Sequence, residues 1–94
     1  MIRFEWDESK NRANRKKHGI WFDEAQSAFT DPHARFFADV EHSEHEERII
    51  LLGVSAVSRL LVVVLCYREG DSIVRIISAR RATSRETAIY EEGI

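Results

Sequence analysis

Residues 73–90, IVRIISARRATSRETAIY, decide how the chain folds. The first half, with Ile73, Val74, Ile76 and Ile77, is β-branched and mostly apolar, the composition of a strand covered on both faces. That run closes on Arg80 and Arg81. Thr83 and Glu86 then stand in the S/T-x-x-E spacing of a capping box, which predicts a helix from Ser84 to about Glu92 carrying Ile89 and Tyr90. Two guanidinium groups are thereby placed on a rim between a rigid strand end and a helix start, where they can meet a planar anion such as phosphate with several donors at once. A solvated strand end is the competing reading.

Working outward, two more strands precede this one, Arg48 to Val54 and Leu60 to Tyr67. Their connections, Ser55 to Arg59 and Arg68 to Ser72, are short, and Glu69-Gly70-Asp71 is a turn signal, so antiparallel neighbours are expected. Leu60 to Cys66 is apolar at every position, which places it centrally with both faces covered. Ahead of these lies a short edge strand within Ala34 to Val40, then the acid-rich loop DVEHSEHEE, Asp39 to Glu47. His42 and His45 stand three apart among its carboxylates and can ligate a divalent metal, but no regular element fixes a third strong ligand.

The N-terminal third alternates Ile2, Phe4 and Trp6 against Arg3 and Glu5, a strand with one buried face. Asp7 offers an N-cap for a helix from Glu8 to His18, with Lys16, Lys17 and His18 in its last turn and Gly19 as a left-handed stop. That helix has almost no apolar stripe, so something other than core packing must hold or use it. Lys10, Asn14, Lys17 and His18 share one side at helical spacing. Phe22, Ala25, Ala28 and Phe29 then recur at three- and four-residue steps and predict a second, core-facing helix ended by Thr30-Asp31-Pro32.

Ninety-four residues suffice for one core, since a chain of this size hides roughly 60 to 70% of its extended surface on folding. The formal net charge of −2 argues against bulk attraction to nucleic acid or membrane, so any phosphate contact is local. Eleven of the fourteen cations are arginine, which favours fixed bidentate contacts over a diffuse field. The lone Cys66 has no internal disulfide partner and sits in an apolar run, consistent with a reducing cytoplasm. Neither a leader nor an apolar run long enough to span a bilayer is visible, and a single soluble domain over residues 1–94 is expected.

Taken together, Trp6-Asp7-x-x-Lys10-x-x-x-Asn14-x-x-Lys17-His18-Gly19, Phe22-x-Glu24-Ala25, Asp31-Pro32, His42-Ser43 ahead of Glu47-Arg48, and Ile77-Ser78-Ala79-Arg80-x-Ala82 resemble the BrnT family of type II toxin-antitoxin systems. The resemblance covers nearly the whole chain in order. It implies an α+β, RelE-like fold: an antiparallel sheet with two N-terminal helices and one short C-terminal helix. It also implies a metal-independent endoribonuclease that needs no cofactor, inhibits translation and arrests growth. The partner implied is a BrnA-like antitoxin, in a 2:2 heterotetramer built on an antitoxin dimer that alone contacts operator DNA. Trp21 departs from the pattern, since a serine or similar cap is expected just before Phe22.

Metal-independent RNA cleavage needs a group to take the 2′-hydroxyl proton, one to protonate the leaving oxygen and cations for the phosphoryl charge. Charge stabilisation is usually the largest contribution. Arg80 is assigned to it first, with Arg48 as companion on a neighbouring strand. His18 is the best proton-transfer candidate because imidazole titrates near neutral pH, although a helix C-cap histidine explains it as well. Lys17, Lys10, Asn14 and Arg81 are candidate RNA- or phosphate-binding residues, and like charge from Lys17 would favour neutral His18. Glu47, Glu86 and Tyr90 are supporting candidates, each also explicable by ion pairing or packing. Two alternatives remain open: a non-catalytic module that acts with the antitoxin as co-repressor, and a metal hydrolase built on His42 and His45.

Overall fold

The structure is a computed structural model that describes residues 2–42 and 46–93. Its elements run β1 (Arg3–Glu5), α1 (Glu8–His18), α2 (Phe22–Ser27), a 3-10 turn (Ala28–Thr30), β2 (Arg35–Ala38), a second 3-10 turn (Val40–His42), β3 (Arg48–Val54), β4 (Leu60–Arg68), β5 (Ile73–Arg81) and α3 (Ser84–Glu92). The described residues form an α+β fold of three helices and five strands, and no described helix is long and apolar enough to cross a membrane.

The five strands make one sheet in the order β1-β5-β4-β3-β2, so β4 is central as its unbroken apolar run requires. The sheet is mixed, which corrects the expectation of a wholly antiparallel one: β2, β3, β4 and β5 alternate, but β1 lies parallel to β5. The reason is connectivity. Short turns force antiparallel neighbours, whereas β1 reaches β5 from the far end of the chain and no hairpin dictates its direction. Its register sets Glu5 opposite Arg75, and Arg75 Nη1 donates to Glu5 Oε2 at 2.8 Å.

The two sheet faces are covered unequally. On one side α1, α2 and the 3-10 turn bury Ile20, Phe22, Ala25 and Ala28 against Leu51, Leu61, Val63, Leu65, Val74, Ile76 and Ala79. Phe4 meets Phe29 edge-on at 4.9 Å, and Trp6 meets Phe22 at 6.0 Å. Gly53 keeps this layer close, because a Cβ there would lie 3.0 Å from the Ala28 carbonyl oxygen. On the other side the short α3 sets Tyr90 against Leu52 and Val62, with Ile50, Val54, Leu60 and Ala82 partly buried around them.

Beyond the small apolar cluster of Tyr90 with Leu52 and Val62, helix α3 is fixed by polar contacts. Its capping box is complete, with Thr83 Oγ1 accepting from the Glu86 amide and Glu86 Oε1 accepting from the Thr83 amide. Tyr90 donates its hydroxyl to Asp31 Oδ2 at 2.6 Å, and Arg35 Nη1 donates to the Ile89 carbonyl at 2.7 Å. Burial, and then the Asp31 carboxylate, push the Tyr90 phenol up to about 12. Asp31 itself is raised by burial, but its bonds from Tyr90, Val54 and His33 outweigh that and bring it below the ordinary carboxylate range. Cys66 is fully buried with no disulfide, and burial pushes its thiol up.

Candidate functional site

Helix α1 begins and ends where its caps predict: Asp7 accepts from the Lys10 amide, and Gly19, at φ 76°, donates to the Arg15 carbonyl. Its polar sequence is explained by how it docks. The two α1 residues that are buried are asparagines, Asn11 and Asn14. Asn11 Oδ1 accepts from the Phe22 amide at 2.7 Å and so supplies the cap that Trp21 does not, while its Nδ2 donates to Glu8. Asn14 Nδ2 donates to the carbonyls of Ile20 and Ala79, and its Oδ1 accepts from the Ala79 amide. β1 pairs with β5 only at residues 73–75, so farther along the edge of β5 would be open. Asn14 fills it, its amide bonding Ala79 as a neighbouring strand would.

Asn14 thus has its amide committed to backbone, which corrects its expected part in RNA contact: it positions the others. Lys10, Ala13, Lys17 and His18 emerge beside it and, with Ile77 and Ser78 of β5, line an open groove of about 220 Å³. Lys10 and Lys17 are two helical turns apart, about 10 Å along the axis. The groove walls carry two ammonium groups, one imidazole, one carboxamide and one hydroxyl and no carboxylate, so the site suits a phosphodiester. Four of the expected residues, Lys10, Asn14, Lys17 and His18, are brought together here, Asn14 with its amide already bonded to backbone.

The arginines are distributed differently. The pairing of β4 with β5 slips at Val64/Leu65, with Leu65 opposite Ile76 and Val64 opposite Ser78, so Ile77 is an extra residue, a β-bulge. Simple alternation would put Arg80 on the face of Ile76. The bulge inverts this: Ile76 and Ala79 both join the large core, and Arg80 falls opposite Val62, on the α3 side. There Arg80 grips Glu86 with both ends, Nη1 to Oε1 at 2.8 Å and Nη2 to Oε2 at 2.9 Å. The Arg80 hydrogen bond, foremost, draws the Glu86 carboxyl down to about 2.

Arg81 takes the opposite face, opposite Leu61. Its charge helps lower Glu24, which is lowered first by the Arg59 guanidinium bonded to it. Arg48 does not neighbour Arg80, because β4 lies between their strands. It sits in the row of Cys66 and Arg75, whereas Arg80 sits with Val62 and Leu52. Those rows are four residues apart on β4, about 13 Å along the strand, so the two arginines share a face but cannot clamp one phosphate. Glu47 precedes β3 at Arg48's end, away from the groove. Tyr90 is buried and bonded to Asp31, which makes it an anchor for α3 and no proton donor. His42 pairs with Asp39 at 3.1 Å, and His45 lies outside the described residues.

Sequence reasoning did not single out Asn11, Ser78 or the stacking of Arg15 on Trp21, at 5.6 Å from the ring centre. The available signal for the first was two asparagines three apart on a helix with no apolar stripe. A bulge leaves no comparable mark on β-branched sequence.

The family model for the ribonuclease toxin BrnT of type II toxin-antitoxin systems matches residues 6–86. The chain belongs to the BrnT family. Among solved structures it is similar to the Brucella abortus ribonuclease toxin BrnT, determined at 1.1 Å, with a TM-score of 0.66 and 22% identity over 89% of this chain and 100% of that one. Among curated protein sequences no significant match is found. As a BrnT-family member it is a ribonuclease toxin of the type II class, and the class implies an antitoxin partner. At 22% identity the Brucella structure speaks for the shared fold alone.

Proposed function

We propose that this BrnT-family chain is a metal-independent endoribonuclease with a RelE-like fold that cuts RNA in the cytoplasm and arrests growth. A BrnA-like antitoxin neutralises it in a 2:2 assembly and carries the pair to operator DNA. The observation that supports the activity is the carboxylate-free groove in which Lys10, Lys17 and His18 meet Ser78. In this reading Lys10 and Lys17 hold the RNA backbone. His18 takes the 2′-hydroxyl proton as the oxygen attacks the adjacent phosphorus, or protonates the departing 5′-oxygen; a positioned group of this kind contributes roughly 100- to 10,000-fold. Arg81, on the α1 side at the end of the same strand, stabilises charge on the phosphoryl oxygens, and Arg80, on the other face, joins it only where its grip on Glu86 is released.

A second reading is favoured by one specific contact. Arg80 is already neutralised by Glu86, and it faces away from His18, as a module that only binds its antitoxin could equally tolerate. Antitoxin-free protein incubated with RNA in EDTA separates the two. Cleavage lost on His18→Ala or Lys17→Ala, and reduced on the order of 100-fold by Arg80→Ala, is expected. Folded wild type that leaves several RNAs intact would favour the co-repressor module, and cleavage abolished by EDTA would revive a metal hydrolase.

A further inference from the structure

Trp21 occupies the N-cap of α2, a position where serine, threonine, aspartate or asparagine would bond the helix amides. Its indole makes no such bond. It is 45% exposed, although most large aromatic side chains here are turned inward. The fold compensates for the missing cap through Asn11, and the Trp21 carbonyl still accepts from the Glu24 and Ala25 amides. So the ring is held half outside at a cost to local helix chemistry, and the one ring partner recorded for it is a cation.

What surrounds it is cationic. The Arg15 guanidinium lies over the ring, 5.6 Å from its centre. Arg59, whose Nη2 reaches the Gly19 carbonyl, brings a second guanidinium to this loop, and Arg81 contributes charge at Glu24. Of the two acids in the first turn of α2, Glu24 is spent on Arg59, leaving Asp23. The same four-residue end of α1, Arg15 to His18, supplies Lys17 and His18 to the phosphate groove. An exposed indole stacked by arginine, three residues along the chain from His18 of the groove, has the composition of a single-strand nucleic-acid subsite, in which a base lies on the ring and cations follow the backbone.

We propose that Trp21, braced by Arg15, is a base-stacking platform for a nucleotide of single-stranded RNA flanking the one held in the Lys10/Lys17/His18 groove. The platform rests on the ribonuclease reading and deepens it. It recognises a flat base with little sequence preference, because every base offers a π-face. It gives the enzyme a preference for unpaired over double-stranded RNA, since a base must leave its helix to reach the ring.

The test uses the whole chain and a short single-stranded 2′-O-methyl RNA, which cannot be cut because its 2′-oxygen is blocked. Trp21→Ser keeps the fold under control, since serine suits this N-cap and its melting temperature should not fall below wild type. Wild type should bind with quenching of the emission that Trp21→Ser lacks. The variant should bind about tenfold more weakly, within the span expected for one stacked base, and Trp21→Phe should recover most of the loss. An oligonucleotide with abasic positions should erase the difference between wild type and Trp21→Ser. Equal affinity of both proteins for the normal oligonucleotide overturns the platform while leaving the groove intact. Equal weakening toward normal and abasic oligonucleotides overturns base stacking in favour of a backbone contact. Loss of a co-expressed antitoxin by Trp21→Ser with RNA binding unchanged would make this a protein interface. If wild type neither binds nor cuts RNA, while the protein is folded, the ribonuclease reading itself fails, and the platform with it.

Discussion

The two faces of the sheet do different work. The face under α1 and α2 is a closed apolar layer with Phe22, Ile20, Leu51, Leu61 and Leu65 fully buried, and it is roofed by a helix that docks through two asparagines. The face under α3 buries Leu52 and Val62 beneath Tyr90 of the helix, leaves Phe37, Ile50 and Ile89 partly open around a hollow of about 180 Å³, and is pinned by Arg80–Glu86 and Tyr90–Asp31. Stability is concentrated on the first face. The second is held mainly by directional polar contacts, each worth about 1 kcal/mol net, so α3 should open at a lower free energy than the closed layer. The arginine best suited to phosphate lies on that second face, and the lysine–histidine groove opens beside the first.

Core truncation would break this comparison most sharply. Phe22→Ala, in the middle of the closed layer, should cost about 3–5 kcal/mol, enough to leave a chain of this size largely unfolded near body temperature. Val62→Ala, beneath α3, should cost only on the order of 1–2 kcal/mol, since its surroundings are already loosely filled. Urea titrations of the two variants measure both. Equal losses would show that α3 closes a second core.

The next effect tests how α1 is attached. Asn14→Ala leaves the Ala79 amide and carbonyl and the Ile20 carbonyl without their side-chain partner. Each buried orphan costs about 1–3 kcal/mol, offset where water can reach the opened edge, so a net loss of about 2–4 kcal/mol is expected. Activity should fall by more than the unfolded fraction explains, because Lys10, Lys17 and His18 lose their fixed distance to Ser78. Single-turnover cleavage under conditions where the variant is shown folded by circular dichroism checks this. Retained full activity would mean the groove does not depend on the edge that Asn14 closes.

Much of this architecture was legible. Asp7, Gly19, Thr83 and Glu86 mark their helix ends because caps are local chemistry, and three apolar runs with two short turns fix β3, β4 and β5. The direction of β1 was not legible, since it depends on a contact between residues 70 positions apart. Nor was the inversion at Ile77. One inserted residue in a run of isoleucines leaves composition unchanged but turns Arg80 to the other face, and with it the arginine leaves the company of His18 in which the catalytic assignment had put it. Lys10, Lys17 and His18 were found correctly together because an α-helix without a bulge keeps its period.

The smallest expected effect bears on the weaker face. Glu86 has its carboxyl drawn from an ordinary value near 4.5 down to about 2, first by Arg80 and then, against burial, by the Thr83 amide. A carboxyl depressed in the folded state contributes stability that is fully present above its unfolded pKa and is lost as pH falls through the folded value. The window therefore opens just below 4.5 and closes near 2. Because Arg80 is well exposed to solvent, the loss should be on the order of 1 kcal/mol. Glu86→Gln should flatten that part of the pH–stability profile. It should also release Arg80, whose bidentate grip on a carboxylate is the grip it would give a phosphate. If Arg80 serves RNA, the variant should bind uncleavable RNA more tightly at neutral pH, by a factor of a few. Weaker binding would instead assign the pair to holding α3 in place, and would put the phosphate contact wholly on the α1 side of the sheet.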